Sequence, residues 1–84
     1  MKLVFAEQAW EDYLYWLEND KQIHKRINAL IKDIQREPFS GIGKPEPLRH
    51  ALAGHWSRRI TEEHRIVYKV EDDSLLIVQL RHHY

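Results

Sequence analysis

Eighty-four residues suffice for one domain and no more, and at that size only roughly 60–65% of the unfolded chain's surface can be buried, so the core is thin. The absence of cysteine excludes a disulfide framework, a thiolate zinc site and a cysteine nucleophile. With 43% apolar and 31% charged residues the chain reads as an ordinary globular domain, and its 13 basic and 13 acidic side chains cancel, whereas a domain that holds naked nucleic acid unaided is usually basic.

The predicted elements follow in chain order. Lys2–Phe5 is a short apolar stretch and reads as a strand. From Glu7 the period changes: Trp10, Tyr13, Leu14 and Leu17 fall at i, i+3, i+4, i+7, which predicts one buried face of a helix. Asn19-Asp20 marks a break and offers an N-cap for a second helix. Ile23, Ile27, Leu30, Ile31 and Ile34 form its apolar stripe, and Pro38 stops it near Arg36. So short a connection predicts an antiparallel αα-hairpin. Glu37 to His50 holds all three prolines and two of the three glycines and reads as a functional loop, with prolines on both sides stiffening Glu46. His55–Thr61, His64–Glu71 and Leu75–Leu80 read as strands, separated by turns at Glu62-Glu63 and Asp72-Asp73-Ser74. The last is the most apolar and is expected to lie inside the sheet and to run directly into Arg81-His82-His83-Tyr84. The order β-α-α-β-β-β predicts an α+β fold over residues 1–84, a mostly antiparallel sheet with the αα-hairpin on one face.

The longest unbroken apolar run, Tyr13 to Leu17, is far short of the ~20 residues that span a membrane. The first residues show no signal-peptide h-region, so a cytoplasmic location is expected.

Charge is distributed less evenly than its sum implies. Lys44, Arg49, Arg58, Arg59 and Arg65 face three acids between positions 44 and 65, and five of the six histidines lie in the second half. This is either a solvated surface or a local site for an anionic ligand. Metal chemistry finds little support: His82 and His83 are adjacent and would point to opposite faces of a strand, and the acid pairs sit in turns. No phosphate-cradling glycine motif and no nucleophile elbow is present. Metal-free acid–base chemistry on a phosphate remains, which needs a base, an acid and a cation to hold the developing charge. Glu46, His83, and Arg59 or Arg65 are of the right types, and His83 would share a strand face with Arg81. Each also admits a plainer role: Glu46 as a surface acid, Arg59 and Arg65 as ion-pair partners of Glu62 and Glu63, the tail as a frayed terminus. Spacing alone does not decide between them.

Lys44-Pro45-Glu46-Pro47-Leu48, the run from Trp56 through Tyr68, Asp72 to Leu76 and the terminal His83-Tyr84 together resemble the YoeB toxin family, a branch of the RelE-like ribonuclease toxins. The resemblance runs end to end. It implies a RelE-like, microbial-RNase-like single domain that cleaves messenger RNA in the ribosomal A site without a metal or other cofactor. It implies the roles of general base for Glu46, general acid for His83, transition-state stabilisation for Arg65 and positioning for Tyr84. Arg59, Arg49 and Lys44 would be RNA or phosphate contacts. It further implies a YefM-type antitoxin as partner, operator DNA contacted only through the antitoxin complex, and a homodimer in the free state. Three positions depart from the family pattern: Arg49 in place of lysine, His82 in place of tyrosine, and Ala6 in place of a capping serine. The alternative on the same scaffold is a non-catalytic binding toxin resembling the gyrase-poisoning ParE branch, or a co-repressor module of the antitoxin.

Overall fold

The computed structural model describes residues 1–82, and the last two, His83 and Tyr84, lie outside the described residues. The elements are β1 (Lys2–Phe5), α1 (Glu7–Asn19), α2 (Lys21–Arg36), β2 (Glu46–Pro47), a 3₁₀ turn (His50–Leu52), β3 (Trp56–Arg59), β4 (Arg65–Glu71) and β5 (Ser74–Gln79). The strands form one sheet in the order β1-β5-β4-β3-β2. Three neighbouring pairs are antiparallel, and β1 runs parallel to β5. The fold is α+β with a mostly antiparallel sheet, as the order of elements predicts.

Asp20 alone joins the helices. Its backbone N–H donates to Trp16 O and closes α1, while its carboxylate accepts from the N–H groups of Gln22 and Ile23 and opens α2. Ala6 opens α1 without a side-chain cap, an omission that costs about 1 kcal/mol relative to serine. Its N–H is still used, donating to Ile77 O at 2.8 Å. Along α2 the expected stripe is buried: Ile27, Leu30, Ile31 and Ile34 are in the core and Ile23 packs at its margin. Each such side chain contributes about 1.5–3 kcal/mol of transfer free energy before the cost of ordering it.

The buried face of α1 differs from the expected one. Trp10, Leu14 and Leu17 are 48%, 40% and 43% exposed, and the helix buries Ala9, Asp12 and Trp16, with Tyr13 partly packed. The reason is polar. Asp12 Oδ2 accepts from Leu80 N–H at 3.0 Å, and the Trp16 indole N–H donates to Leu80 O at 2.9 Å. Two side chains one helical turn apart therefore satisfy both backbone groups of one residue, and this fixes the helix rotation. Since Leu80 spends its hydrogen bonds on α1, β5 ends at Gln79 and Arg81 is not on a strand.

The 37–50 segment is more ordered than the expected loop. Its first half is built around Arg58, which is fully buried. The guanidinium donates to Asp33 Oδ2 (2.6 Å), the Tyr68 hydroxyl (3.2 Å) and the carbonyls of Glu37 (2.7 Å), Ser40 (2.9 Å) and Ile42 (3.0 Å). Tyr68 in turn donates to Pro38 O at 2.7 Å. Gly41 is required here: its φ is +127°, and a Cβ would fall 2.1 Å from Asp33 Oδ2. In the second half, Glu46 and Pro47 form an edge strand opposite Ser57 and Trp56, a position that tolerates proline.

Candidate active site on the sheet face away from the helices

Opposed residues in antiparallel pairs share a face, and successive residues alternate. Trp56, Arg58, Ile66 and Tyr68 project toward the helices, where they join the core or Asp33. Ser57, Arg59, Arg65 and Val67 therefore share the other face, and the register Glu46↔Ser57 adds Glu46 to it. Of the five cations counted between positions 44 and 65, Arg58 is thus removed into the core, and its counter-charge is Asp33, outside that window.

Glu46 and Arg65 are brought together. Arg65 Nη1 donates to Glu46 Oε1 at 3.3 Å, with the Arg65 side chain 14% and the Glu46 side chain 49% exposed. The expected alternative pairing of Arg65 with Glu62 or Glu63 is replaced by this contact across two strands. Arg59 is the direct cross-strand neighbour of Arg65, is exposed, and makes no ion pair with another described residue. Arg49 lines, with Glu46, Pro47, Leu48, His50 and Leu52, a groove of about 330 Å³. Lys44 is exposed in a left-handed backbone conformation (φ 54°) and is not part of that groove. The expected general acid His83 and positioning residue Tyr84 lie outside the described residues.

The approach to them is well defined. Arg65 N–H donates to His82 O at 3.1 Å, and His82 N–H donates to His64 Nδ1 at 2.7 Å. Gln79 Nε2 donates to the carbonyls of Arg81 (2.9 Å) and His82 (3.3 Å). Asp12, Trp16, His64 and Gln79 hold the tail and are not legible as such in the sequence. The partners of Asp12, Trp16 and His64 lie 18 to 68 positions away in the chain, so no local spacing carries their signal. Gln79, two and three residues from its partners, acts only because the chain leaves the strand there.

An acid beside a guanidinium suits proton abstraction from a hydroxyl with stabilisation of the anion formed next to it. Among the described residues no three histidine, aspartate or glutamate side chains converge as metal ligands, and no helix is long and apolar enough to cross a membrane.

A helical hairpin packed on a five-stranded mixed sheet is the fold of a class of small α+β domains found among solved bacterial toxins. Residues 5–84 match the family described as the YoeB-like toxin of bacterial type II toxin-antitoxin system. The chain is 67% identical to Toxin YoeB of Escherichia coli (strain K12), with 100% of both chains covered. The YoeB/ParE toxin from Agrobacterium tumefaciens superposes with a TM-score of 0.98 at 49% identity, covering 100% of each chain. YoeB of Staphylococcus aureus has been solved as a dimer (TM-score 0.93, 47% identity) and in a YoeB-YefM complex (0.92, 46%), each covering 100% of this chain and 98% of that one. The protein belongs to the YoeB family and is a toxin of a type II toxin–antitoxin system.

Proposed function

We propose that the protein is a ribosome-dependent endoribonuclease that cleaves messenger RNA in the A site and so inhibits translation. The observation that carries this reading is the Glu46–Arg65 contact on the face that also holds Arg59. In RNA the ribose 2′-hydroxyl supplies the nucleophile, so the protein has to supply only proton transfer and charge stabilisation. Glu46 takes the 2′-hydroxyl proton. The oxygen attacks the adjacent phosphorus, and Arg65 with Arg59 holds the charge that develops on the equatorial oxygens. His83 protonates the departing 5′-oxygen and Tyr84 positions the reacting groups, leaving a 2′,3′-cyclic phosphate and a 5′-hydroxyl. Arg49 and Lys44 contact the RNA backbone. The pair is open to solvent on the Glu46 side, so the carboxylate can meet a hydroxyl with Arg65 held beside it.

The neutral net charge fits an enzyme that meets its substrate on the ribosome rather than free in solution. A YefM-type antitoxin is the proposed partner and a homodimer the proposed free form, by analogy with the Staphylococcus aureus relatives. Operator DNA is contacted through the antitoxin, and the site of action is the cytoplasm.

Primer extension on a reporter mRNA in a purified translation system, with and without ribosomes, tests the reading. Cuts within A-site codons that require ribosomes and vanish with His83→Ala are expected. Cleavage without ribosomes would make the protein a general ribonuclease. Toxicity with no cleavage at all would favour the ParE-like binding mode.

A further inference from the structure

The last described residues are held by hydrogen bonds from several parts of the fold. Beyond Gln79 the backbone leaves the sheet, and its polar groups are taken up by the distant side chains of Asp12, Trp16 and His64, by the Arg65 backbone and by Gln79 itself. Asp12 and Trp16 bind both backbone groups of Leu80. His82 O accepts from the Arg65 backbone N–H and from Gln79 Nε2, and His82 N–H donates to His64 Nδ1. His82 has a φ of +64°, a left-handed conformation uncommon for a residue with a side chain. Such a conformation persists where neighbours over-determine it, and such positions cluster at functional sites.

His64 is the sole side-chain acceptor among these contacts for His82, and its chemistry is constrained. An imidazole nitrogen that accepts a hydrogen bond carries no proton, so at 2.7 Å from His82 N the Nδ1 atom is unprotonated and the ring is neutral, with its proton on Nε2. The ring is nearly buried at 9% exposure. It stands edge-on to Trp16 (4.8 Å between centroids) and tilted against the His82 ring (5.4 Å), with Glu63 Oε1 3.9 Å from Nε2. It directly precedes Arg65, whose side chain meets Glu46 and whose N–H holds His82 O. One dipeptide, His64-Arg65, thus grips both backbone groups of the residue that precedes His83.

We propose that His64 is a positioning residue for the cleavage reaction: its unprotonated Nδ1 fixes the backbone of His82, the residue that precedes the proposed general acid. This inference rests on the ribonuclease reading above. His64 touches no reacting atom. It acts through the main chain, so its loss is expected in kcat rather than in binding to the ribosome.

Three substitutions separate this role from simple packing. In His64→Asn the amide oxygen sits close to the place of Nδ1, in His64→Gln it sits nearer that of Nε2, and His64→Phe keeps the ring against Trp16 without an acceptor. In ribosome-dependent cleavage, Phe and Gln are expected to lower kcat about ten-fold with KM within about two-fold, and Asn to recover most of the loss. Amide hydrogen exchange gives a second readout that does not depend on activity. The His82 N–H is expected to lose protection in the Phe and Gln variants and to keep it in Asn, with Ile66 and Ile77 protected throughout. Full activity in His64→Phe, or an Asn variant as impaired and as unprotected as Gln, overturns the proposal, and the Asn–Gln comparison stands even where Phe does not fold. A wild-type protein that cleaves no mRNA on ribosomes overturns the parent reading instead, and His82 exchange still reports whether the grip exists.

Discussion

Arg58 on β3 and Asp33 on α2 form a buried ion pair, with Nη1 2.6 Å from Oδ2. The remaining guanidinium donors order the segment between α2 and Glu46, binding three of its carbonyls. Through this pair the core reaches the edge strand that presents Glu46. Replacing Arg58 by Leu leaves those carbonyls without their donor and takes from the buried Asp33 carboxylate its main partner, with only the Ile42 N–H and Arg36 remaining, and a loss of about 3–5 kcal/mol is expected. Urea unfolding measures it. A loss below about 1 kcal/mol would mean that the segment is ordered by other contacts.

The same pair predicts a response to acid. The Arg58 hydrogen bond is the main influence that lowers the Asp33 pKa from its ordinary 3.8 to about 2, and the Ile42 N–H and Arg36 add to it against the opposing effect of burial. A carboxyl depressed in the folded state binds its proton more weakly there than in the unfolded chain. Its contribution is therefore complete above about pH 4 and is lost as pH falls through about 2. Wild type is expected to unfold at higher urea than Asp33→Asn at neutral pH, with the gap narrowing between about pH 4 and pH 2. A gap independent of pH would assign the stabilisation to groups other than this carboxyl.

Asp12 and Trp16 predict a contrast along α1. Asp12→Ala strands the buried Leu80 N–H, at an expected cost of about 1–3 kcal/mol. Leu14→Ser and Leu17→Ser, on the exposed face, are expected to change stability by about 0.5 kcal/mol or less. Thermal unfolding of the three variants decides it. If the leucine variants prove the costlier, α1 packs in solution with the face that hydrophobic periodicity predicts.

That contrast also shows where the sequence is readable. The stripe on α2 is legible because five aliphatic residues repeat at helical spacing, and Asp33, buried beside them, does not shift that face. The capping role of Asp20 and the strand order after residue 55 are legible for similarly local reasons. The face of α1 is not, because an aspartate serving a backbone N–H across the fold looks like a solvent-facing acid. Arg58 misleads in the same way: within the 44–65 window it adds to a cationic patch, whereas Asp33, 25 positions earlier, takes it into the core. Glu46 is placed by type and by resemblance, but its strand pairing and its contact with Arg65 come from tertiary structure alone.

Glu46 and Arg65 offer the sharpest separation of activity from stability. Their 3.3 Å contact is half open to solvent on the carboxylate side, so breaking it costs at most ~1 kcal/mol of stability. A general base contributes about 10²–10⁴-fold to rate. Glu46→Ala is therefore expected to lower ribosome-dependent cleavage by about 10²–10⁴-fold, with a urea midpoint close to that of wild type. Arg65→Lys keeps the charge but loses the planar pair of donors that matches a phosphate, and it is expected to lose rate as well. Measuring cleavage and unfolding on the same preparations is decisive. If Glu46→Ala were destabilised in proportion to its lost activity, the pair would be holding the edge strand in place, and the base would have to be sought elsewhere on the face shared with Arg59.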